Sequence, residues 1–160
     1  MTEEQGHKLA DRYGRIVEQL SELFAKDADR LDATARMAAA VALLHHKMPH
    51  FFWTGFYRLV DGDLVVGPYQ GPIACGVLAR HTGVCWAGVE RGEPIVVEDV
   101  HAFPGHIACD ARSQSEVVVP VRDASGQVAG VLDVDSDRPA AFSRVDAEGL
   151  ERVAGLIAPR

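Results

Sequence analysis

Apolar side chains recur at steps of three and four through Leu9, Tyr13, Ile16, Val17, Leu20, Leu23 and Phe24. That spacing lays them along one stripe and predicts an amphipathic helix over about residues 5–25. A second helix is predicted from Ala33 to Lys47, with Asp32 as its N-cap and Pro49 just beyond its end. The adjacent His45 and His46 point to different sides of such a helix and read as a polar helix end, not a metal site. After Pro49 the period shortens towards two. Phe51–Val60 and Leu64–Val66, joined by Asp61-Gly62-Asp63, predict a β-hairpin, with Trp53 and Tyr57 on one face of its first strand. Residue type alone favours packing as the role of these two aromatics.

Gly67–Pro72 reads as a turn-rich break and Ile73–Leu78 as a short strand carrying Cys75 near its start. A short helix is predicted from Val84 to Arg91. Cys85 in its first turn is either a thiol activated by the helix dipole or a buried, inert side chain. Pro94–Val97 is a strand. The stretch from His101 to Glu116 then precedes a second hairpin, Glu116–Arg122 and Val128–Asp135. In its last strand Asp133 and Asp135 alternate with Leu132 and Val134, so the carboxylates share one face; without further information this could be only a solvated face. Ser143, with Asp146 three positions on, predicts the start of a closing helix.

This order predicts an α+β architecture, a mainly antiparallel sheet flanked by N- and C-terminal helices. Helices are expected on one side and a ligand-capturing loop on the other. The 160 residues suit one structural unit. Residues 1–48 are read as helices packing on a catalytic part that spans 49–160. The charged share of 24%, the apolar share of 48% and a formal charge of −7 match an ordinary globular chain and argue against a polyanion partner such as nucleic acid. No apolar run reaches membrane-span length and the first residues lack the basic-then-apolar order of a signal peptide, so the expected location is the cytoplasm.

Chemistry crowds into the loop from His101 to Glu116, where Cys109 follows the small Ala108 and precedes Asp110, with His101 and His106 nearby. Three cysteines cannot all pair within one chain, which leaves packing, metal binding or redox chemistry. Zinc would draw on Cys75, Cys85 and Cys109 with His101 or His106. Their intervals of ten and twenty-four residues contain none of the close ligand pairs that structural zinc sites use. A cysteine hydrolase needs a thiolate and a base, and Cys109 with His106 or His101 meets only the composition requirement. It would leave two cysteines and the acidic strand unused. Thiol redox catalysis uses them together. Cys109 attacks an oxidised substrate and becomes a sulfenic acid, which Cys75 or Cys85 resolves as a disulfide, while Glu116, Asp133 and Asp135 deliver a proton or bind a cationic group. Carboxylates raise a neighbouring thiol's pKa, so the nucleophile must form as protons are redistributed on substrate binding.

At these residues the sequence resembles the free methionine-(R)-sulfoxide reductases, single GAF-fold enzymes acting on the free amino acid. The resemblance rests on Trp-Thr-Gly-Phe-Tyr (53–57), Gly-Pro-Tyr-Gln-Gly (67–71), Ile-Ala-Cys (73–75), Gly-Val-Cys (83–85) and Glu-Asp-Val-His (98–101). It continues through Gly-His-Ile-Ala-Cys-Asp (105–110), Ser-Glu (115–116) and Gly-Val-Leu-Asp-Val-Asp-Ser (130–136). It implies a GAF-like domain in which Cys109 attacks the sulfoxide and Cys75 resolves it, giving a Cys75–Cys109 disulfide that thioredoxin reduces. Cys85 becomes a secondary thiol. Glu116, Asp133 and Asp135 would line the pocket and polarise the sulfoxide oxygen, and Trp53 and Tyr57 would enclose the thioether methyl. Neither cofactor nor metal is implied. Trp86, and His81 with Thr82, depart from the family's usual small residue and glycine-plus-basic pair. The N-terminal 45 residues carry little of the resemblance and are open as a lid, a packing element or a homodimer contact. The competing expectation is a non-catalytic GAF module that binds a small molecule for signalling.

Overall fold

The architecture follows from how two kinds of strand face are covered in a computed structural model that describes residues 2–106 and 109–158. Ile107 and Ala108, the latter expected beside Cys109 as a small neighbour, lie outside the described residues. The chain runs through α1 (Glu3–Lys26), α2 (Ala33–Lys47), β1 (Trp53–Val60), β2 (Asp63–Gln70), β3 (Val77–Leu78) and α3 (Gly83–Arg91). It continues with β4 (Ile95–Val97), a single 3₁₀ turn (Val100–Ala102), β5 (Ser115–Arg122), β6 (Val128–Ser136) and α4 (Arg144–Ala154). The six strands form one sheet in the order β3-β2-β1-β6-β5-β4, with every neighbouring pair antiparallel.

Alternation along the central strands sends Phe56, Val117, Val119, Val121, Leu132 and Val134 to one side. There they pack with Tyr13, Ile16, Leu20 and Phe24 of α1, Met37, Val41 and Leu44 of α2, and Leu150 and Val153 of α4. Leu23 belongs to the predicted apolar stripe of α1 but is 44% exposed. A reciprocal cap starts α1, the Thr2 hydroxyl accepting from the Gln5 N–H and the Gln5 side chain accepting from the Thr2 N–H. Asp32 caps α2 as predicted, accepting from the Ala35 N–H at 2.8 Å. Asp146 begins α4 by accepting from the Ser143 N–H and hydroxyl, and Tyr13 donates to its other oxygen at 2.9 Å, which ties α1 to α4.

The opposite side carries Trp53, Tyr57, Val118 and Val131, covered by Val84, Cys85 and Trp86 of α3. The expectation that helices cover one side only is therefore corrected: α1, α2 and α4 take one face and α3 shares the other with the loops. Gly88 makes this possible, since a Cβ there would stand 2.7 Å from Val118 Cγ1.

Two boundaries also differ from the sequence expectation. Gly67–Gln70 belong to β2 rather than to a break. Across from Gly55 and Tyr57 of β1 stand Tyr69 and Val66, so Gly67 and Pro68 together oppose one residue of β1 and form a bulge. Proline lacks the N–H that a regular ladder needs, and a bulge is where a strand tolerates it. The strand expected over Ile73–Leu78 contracts to Val77–Leu78, because only Val65 and Leu64 remain to pair with it. Cys75 is thereby left on a loop. Among the described residues no helix is long and apolar enough to cross a membrane.

Candidate active site

Sheet register assembles an acidic cluster on the α3-covered face. Glu116 of β5 stands opposite Asp135 of β6, and Asp135 stands opposite Trp53 of β1. One step along, Asp133 lies between Val118 and Gly55. Glu116 and Asp133 are 5% and 6% exposed, too buried for an ordinary solvated face; Asp135 is half-buried. Like charges on directly opposed strand positions repel, and burial penalises the charged form further. Burial, followed by Asp133 and Asp135, pushes the Glu116 carboxyl well above the ordinary range. Burial and then Asp135 do the same to Asp133. Asp135 is pushed up to about 7 by burial, although a hydrogen bond with Ser113 opposes the shift. The cluster thus retains protons at neutral pH.

Aromatic rings form one wall. Trp53 and Tyr57 do share a face, their ring centroids 5.8 Å apart and nearly parallel. Trp53 is backed on its other side by Tyr69 at 5.3 Å. A Cβ on Gly55 would collide with both Trp53 and Tyr69, so glycine lets the indole lie across the strand. Tyr57 donates to the Cys75 carbonyl at 3.2 Å and the Val66 N–H to the Gly76 carbonyl at 3.0 Å, which together hold the 71–76 loop over the cavity.

That loop meets the long β4–β5 loop through a Cys75–Cys109 disulfide. Asp110 accepts twice from the Arg112 side chain, at 3.0 and 2.7 Å, and once from its backbone N–H. The guanidinium lies 4.9 Å from the Phe52 ring centre, fastening this loop to the start of β1. Arg112 holds the half-buried Asp110 carboxyl down to about 2. The resulting cavity, about 270 Å³, is bounded by the disulfide, the acids, Trp53, Tyr57, Cys85 and His106. No lysine or arginine among the described residues lines it.

Cys85, the free thiol, reaches into the floor with Sγ 3.9 Å from Glu116 Oε1. Burial and then the nearby Asp133, Glu116 and Asp135 push its pKa well up, overriding any activation from the α3 N-terminus. It stays a thiol. Of the zinc set weighed from the sequence, Cys75 and Cys109 are bonded to each other here and in that state cannot serve as thiolate ligands. Another donor group is assembled: one ligand atom each from Cys85, Glu116 and Asp133 lies within 4.8 Å of the others. All three groups hold protons at neutral pH, so a cation would have to displace them.

All eight residues singled out from the sequence, Trp53, Tyr57, Cys75, Cys85, Cys109, Glu116, Asp133 and Asp135, border this one cavity. Three contributors lie outside that set. Tyr69 sat in a stretch read as a break, and Ser113 precedes the strand without a motif of its own. His106 was weighed only as a zinc ligand or a hydrolase base, yet its ring lines the cavity.

The protonated acids carry a consequence for stability. Asp135 has a folded pKa near 7, above the ordinary 3.8. Below both values it is neutral in both states, and stability falls as pH rises from the lower value to the higher, where folding must give up its proton advantage. Asp135→Asn should therefore melt close to wild type near pH 4 and about 5 °C or more above it near pH 8, measured by thermal denaturation of the reduced proteins. Equal shifts at both pH values would contradict the raised pKa.

Residues 18–159 match the GAF domain family model, in keeping with a six-stranded antiparallel sheet between terminal helices. The site on that fold is a thiol and carboxyl site. Protein YtsP of Bacillus subtilis is 45% identical over 86% of this chain and 85% of its own length. The free methionine-R-sulfoxide reductase of Escherichia coli is 44% identical over 77% of this chain and 74% of its own. The X-ray structure of the Neisseria meningitidis free methionine-R-sulfoxide reductase, in complex with its substrate, superposes with a TM-score of 0.84 at 38% identity. It covers 92% of this chain and 87% of that one. The chain belongs to the GAF-domain family of free methionine-R-sulfoxide reductases, which are oxidoreductases.

Proposed function

We propose that this protein reduces free methionine-(R)-sulfoxide to methionine with Cys109 as nucleophile and Cys75 as resolving thiol. The observation that carries this reading is the Cys75–Cys109 disulfide closing a small cavity whose floor is a cluster of proton-holding acids. A sulfoxide oxygen leaves sulfur only when protonated, and a buried neutral carboxyl can supply that proton. Glu116, Asp133 and Asp135 take this part, and Trp53 with Tyr57 encloses the methyl group against stacked apolar faces.

The two half-reactions balance. Cys109–SH and the sulfoxide give Cys109–SOH and methionine, with two electrons passing from the cysteine sulfur to the substrate sulfur. Cys75–SH then condenses with Cys109–SOH to give the disulfide and water. Thioredoxin regenerates both thiols by exchange through a mixed disulfide. Cys109 is exposed, and Ile73, 86% exposed, offers an apolar contact beside the bond. Such cycling suits a reducing cytoplasm and a role in repairing oxidative damage. Cys85, unsuited to attack, serves as a thiol donor beside Glu116.

The cavity volume sets the specificity. About 270 Å³ accommodates an amino acid, and a sulfoxide inside a peptide would have to bring its chain along. The test is NADPH consumption with thioredoxin and its reductase. Turnover is expected with the free R epimer, and at least about 100-fold less with the free S epimer or an N- and C-blocked R-sulfoxide peptide. Tight binding of any of these without turnover would instead fit a GAF sensor.

A further inference from the structure

A neutral carboxyl and a thiolate are both needed for the first half-reaction, and burial among acids favours only the former. One side chain shares the cavity with both groups. His106 stands three residues before Cys109 on the same loop and is 11% exposed, with Nδ1 3.9 Å from Glu116 Oε2. Nε2, on the far side of the ring, is buried without a hydrogen-bond partner among the described residues. Cys109 and Glu116 line the same cavity as His106. A buried ring nitrogen without a protein partner calls for one, and a thiol proton on the same loop is a partner of the right kind.

We propose, building on the sulfoxide-reduction reading, that His106 is the proton relay between Cys109 and Glu116. When substrate enters, Glu116 gives its proton to the sulfoxide oxygen. His106 Nδ1–H reloads Glu116, while His106 Nε2 takes the proton from the Cys109 thiol. The Cys109 sulfur then supplies the electron pair, the substrate S–O bond breaks and Cys109–SOH forms. The proton that leaves the thiol is replaced by the one that ends on the sulfenic acid, so none is drawn from water. The 3.9 Å separation from Glu116 must shorten on binding, as such contacts commonly do when substrate completes a site.

The surroundings suit a relay. Sharing the cavity with the ring are Glu116 from β5, Asp133 and Asp135 from β6, Cys85 from α3, Cys75 from the 71–76 loop, and Cys109 and Asp110 from its own loop. His101 lies edge-on with its ring centre 6.5 Å away. Burial, then His101, lowers the His106 pKa. A neutral imidazole has one N–H to give and one nitrogen free to accept, which is the form a relay requires.

The test uses fully reduced protein alkylated with iodoacetamide across about pH 5–10, with the Cys109 adduct quantified by mass spectrometry. Because this readout needs no turnover, it separates the relay from the sulfoxide reading. In His106→Asn the apparent pKa of Cys109 is expected to rise by about one unit or more, and kcat for the sulfoxide to fall about 100-fold with KM little changed. Added imidazole should restore part of kcat. His101→Asn, at an exposed position beside the ring, should change the profile far less than His106→Asn. An alkylation profile in His106→Asn that superimposes on wild type overturns the relay, whatever happens to kcat. An equal change in His101→Asn also overturns it, since it would assign the effect to loop shape. Should the wild type reduce no sulfoxide while the alkylation shift appears, His106 remains the base for Cys109 and the substrate assignment fails.

Discussion

Cys109→Ser should form no methionine even in a single turnover, a loss of at least about 10³-fold, because the hydroxyl is neither nucleophilic enough nor able to carry the oxygen as a sulfenic acid. Cys75→Ser should behave differently. It retains the attacking thiol, so one methionine per reduced protein should be released, and cycling with thioredoxin should then stop for lack of a resolving partner. Cys85→Ser should keep both phases, slowed by the altered contact with Glu116. The three variants are compared by counting methionine released with and without reductant. A burst from Cys109→Ser would move the nucleophile to Cys75 or Cys85, the two thiols that still border the cavity.

The second large effect concerns the acids. Glu116→Gln preserves size and hydrogen-bonding capacity but has no proton to give, and kcat should drop about 10²–10⁴-fold. The pH profile carries the sign. In the proposed mechanism the active form is the protonated cluster, so the wild-type rate should fall as pH rises through its titration, which for Asp135 centres on about 7. Glu116→Gln should lose much of that alkaline fall. Steady-state rates from about pH 5 to 9 check it, and an alkaline fall of unchanged midpoint in Glu116→Gln would place the transferred proton on Asp133 or Asp135.

Much of this site was legible in the sequence because its parts obey short-range rules. Alternation alone set Asp133 and Asp135 against Leu132 and Val134, and the structure keeps that division, with the apolar pair in the helix-covered core. The four-residue step from Trp53 to Tyr57 likewise survives as a shared face. What periodicity cannot carry is partnership between distant strands. Glu116 opposite Asp135 is a fact of register between β5 and β6; it turns three separate acids into a cluster that must hold protons. The bulge at Gly67–Pro68 shows the same limit, since proline and two glycines read locally as a break and only the pairing with β1 reveals a strand. α3 was found from its own residues, but the face it covers depends on Gly88 meeting Val118. His106 was passed over because a histidine three positions from a cysteine is weak information until its ring is seen against Glu116.

Cys75 and Cys109 are thirty-four residues apart, and spacing alone left Cys85 equally available as the resolving thiol. Their environments differ. Cys75 sits on a loop tethered by Tyr57 and is bonded to Cys109, which supports the proposal that it is the resolving thiol. Cys85 is fixed in the first turn of α3 with its thiol turned to the acids.

The most direct test of the central claim is mass spectrometry of the fully reduced protein after one equivalent of free methionine-(R)-sulfoxide, quenched by alkylation and digested. The expected result is one equivalent of methionine, a Cys75–Cys109 disulfide and an alkylated Cys85. A Cys85–Cys109 disulfide, or all three cysteines alkylated with the sulfoxide unchanged, would contradict it.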